Sequence, residues 1–270
     1  MSSRSDGSRM KILFIGDVIG KPGRNAVKAL LPLIKAETGF DVVIMNGENV
    51  SGGMGITPQE AGEILDSGID LITTGNHVWK KKEIVDFLNR SDRIVRPANY
   101  PPGAPGTGSL TYRTRSGSVI GLVNLLGRVF MHESLDCPFR IADAELKKIG
   151  EHTKIIIVDF HAEATSEKRA LAFHLDGRVT ALVGTHTHVQ TADEQILAGG
   201  TGFITDVGMA GPSDSVIGMR KEIILQKFKS QLPASFQVAS GEVILDAVMI
   251  EADERTGRCL KISRIRRSHL

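Results

Sequence analysis

The sequence contains few cysteines, few aromatic residues and no excess of charge of one sign. Its two cysteines, Cys137 and Cys259, lie far apart and form no CxxC pattern, which excludes a disulfide scaffold and a cysteine-rich zinc site. The 33 Lys and Arg residues nearly balance the 31 Asp and Glu residues, giving a net charge of +2. We therefore expect neither a stable nucleic-acid complex nor attachment to an acidic membrane surface.

Long apolar segments are missing as well. No run approaches the roughly 18 apolar residues that a transmembrane helix needs, so we expect no membrane span. The N-terminal MSSRSDGSR lacks the apolar core of a signal peptide, and Met10 directly precedes the first strand-like run. These features predict a cytoplasmic protein, with residues 1–9 as a disordered leader or cloning remnant and residues 10–270 as a single domain.

The first hundred residues repeat an apolar strand, a polar turn and a helix. Thr57 is the predicted N-cap of the second helix, with Pro58 in its first turn and Glu60 completing a capping box. This alternation is typical of a parallel sheet covered by helices. The predicted strands span residues 11–15, 41–45 and 70–73, and the predicted helices span 24–36, 58–67 and 80–88.

The second half of the chain is richer in strands and shows no internal repeat or domain linker. The basic stretch 261–267 alternates with Ile262 and Ile265, as an edge strand does. We therefore expect a second sheet that packs against the first. The strand-like runs are 109–114, 118–122, 154–160, 181–184, 202–206 and 242–251.

Residue types that bind metals follow several of the predicted strands. Ligands of open α/β sheets bind at the carboxyl ends of the strands, so these side chains can meet at one edge. Carboxylate and amide oxygens combined with imidazoles suit Mn²⁺, Fe or Zn²⁺. Seven such ligands exceed what one tetrahedral ion needs, which favours two metals that share a carboxylate. The candidates are Asp17, Glu48, Asn49, Asn76, His161, His186 and His188, with His77 beside them.

Each candidate also has a purely structural interpretation. Asp17 suits a helix N-cap, and Asn49 and Asn76 suit turns with a left-handed backbone. A lone His161 suits a hydrogen-bonded core position, whereas His186 and His188, two apart on an extended segment, point to the same side. The coincidence of compatible residue types at five strand ends favours a metal site.

Competing motifs are weak. The segment from Gly16 to Lys21 is similar to a phosphate-binding loop, but its spacing is one residue short and Pro22 replaces the required Ser or Thr. No GxGxxG follows a strand, and no GxSxG nucleophile elbow occurs. Dinucleotide binding and serine hydrolase chemistry are therefore disfavoured.

The ordered blocks Gly-Asp, Gly-Glu-Asn, Gly-Asn-His and Gly-Thr-His-Thr-His resemble those of the calcineurin-like metallophosphoesterases. The longer strings NGENVSGG, TGNHVW, RPANYP, DFHAEATSEK and TDVGMAGPSDSVIGM resemble, more specifically, the bacterial YmdB-like phosphodiesterases. Two departures from the wider superfamily fit that group. The usual Asp-x-His block reads Asp17-Val18-Ile19, and Glu48 replaces the usual aspartate.

The resemblance implies a four-layer α/β/β/α sandwich with a dinuclear centre of Mn or Fe ions, with Zn or Mg as alternatives. It implies that Glu48 bridges the two ions and that His77 is a catalytic residue outside the coordination shell, which stabilises charge on the phosphate or protonates the leaving oxygen. The implied ligands of metal one are Asp17, Glu48, Asn49 and His188, and those of metal two are Glu48, Asn76, His161 and His186.

The implied activity is hydrolysis of 2′,3′-cyclic nucleotides, and also of 3′,5′-cyclic ones, by a hydroxide that bridges the metals. Segments 51–55 and 126–140 are candidates to flank the nucleotide. A phosphomonoesterase such as a 5′-nucleotidase, or a regulatory nucleotide-binding protein, remains an alternative, and homo-oligomerisation stays open. The cationic residues near the ligand blocks are Lys21, Arg24, Lys80 and Arg96. None of them lies in an anion-binding motif that would bind the additional negative charge of a phosphomonoester, so we expect diesters to be the better substrates.

Overall fold

The structure is a computed structural model that describes residues 9–269. The predicted leader therefore lies outside the described residues, except for Arg9. This residue begins the first strand and pairs with Asp253 of a neighbouring strand. The first strand thus includes the residue before Met10.

Thirteen strands and six helices are described in this part of the chain. The helices are α1 (Gly20–Thr38), α2 (Pro58–Asp66), α3 (Ile84–Arg90), α4 (Pro138–Ile149), α5 (Thr165–Leu175) and α6 (Lys221–Ser230). The strands of the first half are β1 (Arg9–Val18), β2 (Val42–Asn46), β3 (Leu71–Thr73), β4 (Ile94–Val95), β5 (Ser109–Arg113) and β6 (Val119–Leu126). Those of the second half are β7 (Ile156–His161), β8 (Ala181–Thr185), β9 (Gln195–Ile196), β10 (Gly202–Ile204), β11 (Met209–Pro212), β12 (Val243–Asp253) and β13 (Cys259–His269).

The strands form two sheets. The first sheet has seven strands in the order β13-β12-β11-β1-β2-β3-β4, and the second has six in the order β5-β6-β7-β8-β10-β9. Strands β1 to β4 run parallel to one another, as do β6, β7 and β8. The basic strand β13 lies at the outer edge of the first sheet, as its alternating pattern predicts.

Three apolar layers hold the sheets and helices together. Alternate residues of β1 point to opposite faces, so Leu13 and Ile15 pack with the helices while Ile12 and Phe14 face the second sheet. The middle layer joins side chains of both sheets, including Ile44 and Ile157. A third layer packs α4 and α5 on the second sheet. The predicted four-layer α/β/β/α sandwich is confirmed.

Two of the predicted helices differ in their limits from the observed ones. Helix α1 begins at Gly20 and continues through Pro32, whose side chain lies on the exposed face. Helix α3 begins at Ile84 instead of residue 80, because the preceding residues form turns, one closed by the Lys80 amide and the His77 carbonyl at 2.9 Å. The Thr57 capping box of α2 is present as predicted.

Among the described residues, no helix combines the length and the apolar character that crossing a bilayer requires.

Candidate metal centre

The candidate ligands meet at the carboxyl ends of strands from both sheets. Asp17 lies in β1, Glu48 and Asn49 follow β2, and Asn76 and His77 follow β3, so every oxygen donor comes from the first sheet. The imidazoles of the three candidate ligands come from the second sheet, where His161 ends β7 and His186 and His188 follow β8. The structure therefore brings all eight predicted side chains to one rim.

Glu48 is buried at the middle of this cluster. Its Oε2 lies 3.0 Å from Nε2 of His161, and its Oε1 accepts a hydrogen bond of 3.1 Å from the amide of Asn49. Glu48, His161 and His186 can place one donor atom each within 4.8 Å of one another. Gly75 permits this approach, because a Cβ there would lie 2.0 Å from Glu48 Oε2. The two carboxylate oxygens therefore face the two halves of the cluster.

Asp17 is also fully buried, and one of its oxygens lacks a partner. Its Oδ2 accepts a hydrogen bond of 3.1 Å from the His186 backbone amide. Its Oδ1 has no hydrogen bond among the described residues and lies 3.6 Å from Nε2 of His188. A buried carboxylate oxygen without a hydrogen bond is costly, and coordination to a cation would satisfy it.

Each of the three imidazoles is anchored through one ring nitrogen and turns the other inward. Nδ1 of His161 lies 2.9 Å from the Thr185 hydroxyl, and Nδ1 of His188 lies 3.0 Å from the Ile217 carbonyl oxygen. Nε2 of His186 lies 3.1 Å from the Glu163 carboxylate. An outward N–H leaves the inner nitrogen with a free lone pair, which is the arrangement of metal-ligating histidines.

The inner nitrogens converge on the oxygen donors. Nε2 of His161 lies 3.0 Å from Nδ1 of His186 and 3.2 Å from Oδ1 of Asn76. Nε2 of His188 lies 3.1 Å from the amide nitrogen of Asn49. Asn49 thus turns its side-chain nitrogen towards His188. To coordinate a metal through its oxygen, the side-chain amide must rotate by half a turn about the Cβ–Cγ bond.

The anchor of His161 continues into a buried network. The Thr185 hydroxyl donates to Asp159 Oδ1 at 2.7 Å, and the Asn46 amide donates to Asp159 Oδ2 at 3.0 Å. The Thr73 hydroxyl also donates to Oδ2. Burial raises the pKa of Asp159 to about 6. This relay orients the imidazole, and sequence analysis missed it because Asp159 lies within an apolar strand.

The buried carboxylates are kept ionised by their neighbours. Burial by itself raises the pKa of Glu48, but attraction and hydrogen bonds from His161 and His77 hold it well below its ordinary value. Burial likewise raises the pKa of Asp17, and the charge of His188 lowers it to a net value below the ordinary one. The rim therefore presents two negative charges in a buried place.

The histidines respond in opposite directions. Burial lowers the pKa of His186 to about 3, and repulsion from His161 adds to this shift. Burial acts in the same direction on His188, yet the Asp17 carboxylate and the hydrogen bond to the Ile217 carbonyl raise its pKa to about 9. At neutral pH a cation that binds His188 must therefore displace a proton.

The loop that carries His186 and His188 has an unusual backbone. Their φ angles are 99° and 63°, in the region that favours glycine. Asp206 holds the intervening Thr187, accepting bonds from its amide at 3.0 Å and from its hydroxyl at 2.8 Å. Asp206 is buried and also pairs with the buried Lys168 at 2.8 Å. The pair fixes the two imidazoles in place.

The structural interpretations of Asp17, Asn49 and Asn76 are not supported. The N-cap of α1 is Ile19, so Asp17 caps no helix there. Neither Asn49 nor Asn76 is among the described residues with positive φ. His161 is fully buried and contacts the Thr185 hydroxyl, as its structural interpretation expects, but its ring nitrogens also lie 3.0 Å from Glu48 and 4.0 Å from Asp17. The donor set, the unpartnered Asp17 oxygen and the anchored imidazoles together fit divalent cations.

A cavity of about 500 Å³ opens beside the cluster. Glu48, Asn49 and His77 line one side of it, and the loop 51–55 contributes Gly53 and Met54. The predicted segment 126–140 contributes none of the lining residues. The opposite wall comes from residues 216–236. Residues 216–219 belong to a block that the sequence analysis quoted for the family resemblance, whereas no motif marks residues 224–236.

The cations considered in the sequence do not line this cavity. Arg24 donates to the Val50 carbonyl at 2.6 Å and pairs with Glu60 at 2.7 Å. Arg96 donates to backbone carbonyls, including that of Pro97 at 2.7 Å. Lys227 of α6 lines the cavity instead, and its amine lies 4.6 Å from the centre of the Phe236 ring.

Comparison with known proteins identifies the family of the chain. The model of the YmdB-like protein family matches residues 13–265. A protein of Bacillus subtilis (strain 168) named 2′,3′-cyclic-nucleotide 2′-phosphodiesterase is 49% identical over 256 residues, which cover 95% of this chain and 96% of that protein.

Two crystal structures share the fold. One, of a Thermus thermophilus protein described as hypothetical, is 41% identical with a TM-score of 0.89 and covers 97% of this chain and 100% of its own. The other, described as a novel phosphatase of Mycoplasma pneumoniae, is 36% identical with a TM-score of 0.90 and covers 96% and 94%. The family predicted from the motifs and its hydrolase class are confirmed, and the chain belongs to the YmdB-like protein family.

Proposed function

We propose that this protein hydrolyses cyclic nucleotides at a dinuclear metal centre, with 2′,3′-cyclic nucleotides as the preferred substrates. The observation that carries this proposal is the convergence of three anchored imidazoles on two buried carboxylates at the rim of a nucleotide-sized cavity. The name of the Bacillus subtilis relative, a 2′,3′-cyclic-nucleotide 2′-phosphodiesterase, supports the same substrate class.

Two groups of side chains would hold the metals. When bound, the cations supply Lewis acidity that activates water and neutralises charge on the phosphate. Glu48 suits the bridging position because its two oxygens face opposite halves of the cluster. We assign Asp17, Glu48, Asn49 and His188 to one ion, and Glu48, Asn76, His161 and His186 to the other. Oxygen and imidazole donors suit Mn, Fe and Zn, and the family resemblance implies Mn or Fe.

His77 is the proposed general acid. Its Nδ1 lies 3.2 Å from Oε1 of Glu48, a contact that fixes the ring whichever way the Asn49 amide is turned. Among the described residues, the hydrogen bonds of this ring involve Nδ1 alone, and the residue lines the cavity. Nε2 is therefore available to hold a proton and to pass it to the departing ribose oxygen.

The scarcity of cationic side chains around the cavity favours a phosphodiester substrate over a phosphomonoester. A 2′,3′-cyclic phosphate is strained and carries one negative charge, whereas a monoester carries an additional one that needs a dedicated cationic clamp. Lys227 is the one lysine or arginine among the described residues that line the cavity. A single lysine beside an aromatic ring makes a weak clamp compared with a bidentate arginine.

The test compares kcat/KM for 2′,3′-cyclic AMP, 3′,5′-cyclic AMP and AMP with purified protein loaded with Mn²⁺ at neutral pH. We expect the 2′,3′-cyclic substrate to exceed AMP. A higher kcat/KM for AMP would identify the protein as a phosphomonoesterase. Absence of activity on all three substrates in protein fully loaded with Mn²⁺ would favour a regulatory role. Anomalous scattering from loaded crystals should show two peaks about 3.5–4 Å apart.

A further inference from the structure

The wall opposite the metal ligands is apolar, although the ligands themselves are polar. It is built by Ile217, Met219, Ile224, Phe228 and Phe236, which we call the aromatic wall. Phe228 is 68% exposed and Phe236 is 38% exposed, although both border the cavity. Large apolar side chains that stay exposed beside a polar centre commonly mark a ligand-binding surface.

The aromatic wall is tied directly to the metal ligands. The Ile217 carbonyl accepts from Nδ1 of His188 at 3.0 Å, so the wall begins where the imidazole is anchored. Met219 forms an antiparallel bridge with Val238, which brings the loop bearing Phe236 to the cavity. A Cβ on Gly53 would lie 2.6 Å from Met219 Cε, so this glycine lets the wall close against the first sheet.

A cyclic nucleotide has one part for each side of the cavity. Its phosphate carries the reacting bond and must lie at the metal ligands, which leaves the ribose and the base to extend across the remaining space. A cavity of about 500 Å³ is within the range of small-molecule sites and has room for both. The base is the flat, weakly polar part of the substrate, and aromatic side chains bind such rings by stacking.

We propose that the aromatic wall binds the base of the cyclic nucleotide by stacking on Phe228 and Phe236, and that it accepts all four bases. This inference rests on the proposed function. Stacking requires no particular pattern of donors and acceptors, because every base has a π-face. Among the described residues 216–236, Lys227 is the one charged residue that lines the cavity. Its amine lies over the Phe236 ring. The wall therefore offers little to read the edge of a base.

The test uses two kinds of substrate with the same reacting group. The first is the set of 2′,3′-cyclic AMP, GMP, CMP and UMP, and the second is methyl β-D-ribofuranoside 2′,3′-cyclic phosphate, which has no base. For Phe228→Ala and Phe236→Ala we expect KM for 2′,3′-cyclic AMP to rise about 5- to 150-fold, the range that base stacking predicts. The kcat should change by less than about threefold, and kinetics on the base-free substrate should stay unchanged.

Leu225→Ala is the matched control, because Leu225 lies on α6 together with Phe228, is 50% exposed and does not line the cavity. It should leave every parameter at the wild-type value. Phe228→Tyr and Phe236→Tyr keep an aromatic face and should restore KM to near the wild-type value. Because Phe228 is the more exposed of the two, its replacement should not impair folding. The Phe228 variants therefore test the stacking even if Phe236→Ala impairs folding.

Several results would overturn the inference. Equal losses on the nucleotide and on the base-free substrate would mean that the phenylalanines support the structure and do not bind the base. A preference of more than a hundredfold for one base would contradict the lack of edge recognition. A change of sedimentation mass with unchanged KM would make the wall an interface between copies. Inactivity of the wild-type protein on every cyclic nucleotide would instead contradict the proposed function itself.

Discussion

Replacing Lys168 by methionine should destabilise the protein strongly. Methionine keeps most of the length of the lysine side chain but removes the charge that faces Asp206 at 2.8 Å. Both side chains are 0% exposed, so the remaining carboxylate would be a buried charge without its partner. Breaking such a pair typically costs about 3–5 kcal/mol, because desolvation of the remaining charge is no longer offset.

The expected shift of the melting temperature follows from the size of the chain. Unfolding entropy near 60 °C is about 2.1 cal/mol/K per residue, or about 0.57 kcal/mol/K for 270 residues. A loss of about 3–5 kcal/mol then lowers Tm by about 5–9 °C. Differential scanning calorimetry of wild type and Lys168→Met, both without metal, measures this shift.

A surface pair provides the control for this experiment. Lys221 pairs with Asp214, and both side chains are substantially exposed, so Lys221→Met should leave Tm unchanged. Because Asp206 also holds Thr187, metal affinity should fall in Lys168→Met and stay constant in Lys221→Met. A Tm within about 2 °C of wild type for Lys168→Met would refute the view that this buried ion pair supports the histidine loop.

Other variants and conditions separate the roles of the rim residues. The Glu48→Ala protein should lose metal and activity together. The His77→Ala protein should keep its metals, and its kcat should be lower by roughly 10²–10⁴-fold. If metal analysis finds no metal in the His77→Ala protein, His77 is a ligand. Without metal, the folded-state pKa of His188 is raised from 6.5 to about 9, so its stabilising contribution is complete below pH 6.5 and is lost as pH rises to 9. Urea titrations across this range should show the decline in wild type and not in His188→Ala. Calorimetric metal titrations should show affinity increasing over the same interval as the competing proton leaves, and a flat profile would contradict the assignment of His188 as a ligand.

Local patterns predicted most of the fold. Continuous apolar runs and the Thr57 capping box depend on residues close together in the chain, so β1, β2, β3 and α2 lie where the sequence predicts them. The short strands β4 and β11 of the same sheet were not predicted. The start of α3 was predicted four residues too early. The segment 80–83 has helical spacing, but its backbone forms turns behind His77, and that constraint comes from the site.

The ligands could be predicted because they follow strands and occur in recognisable blocks. The groups that orient them could not be predicted in this way. Asp159 reaches His161 through Thr185 and Asn46, which belong to other strands. Lys168 meets Asp206 across 38 positions of sequence. Phe228 and Phe236 carry no motif, and their exposure beside the cavity depends on how residues 216–239 fold back on the first sheet.

The separation of donors between the two sheets has a mechanical consequence. Oxygens come from one sheet and imidazoles from the other, so a bound cation would act as a clasp across the rim of the sandwich. Its binding energy would then add to the cohesion between the sheets, by about 2.7 kcal/mol when free metal stands at about a hundred times its Kd. The free metal concentration would thereby raise the free energy of unfolding of the protein as well as fill its catalytic site.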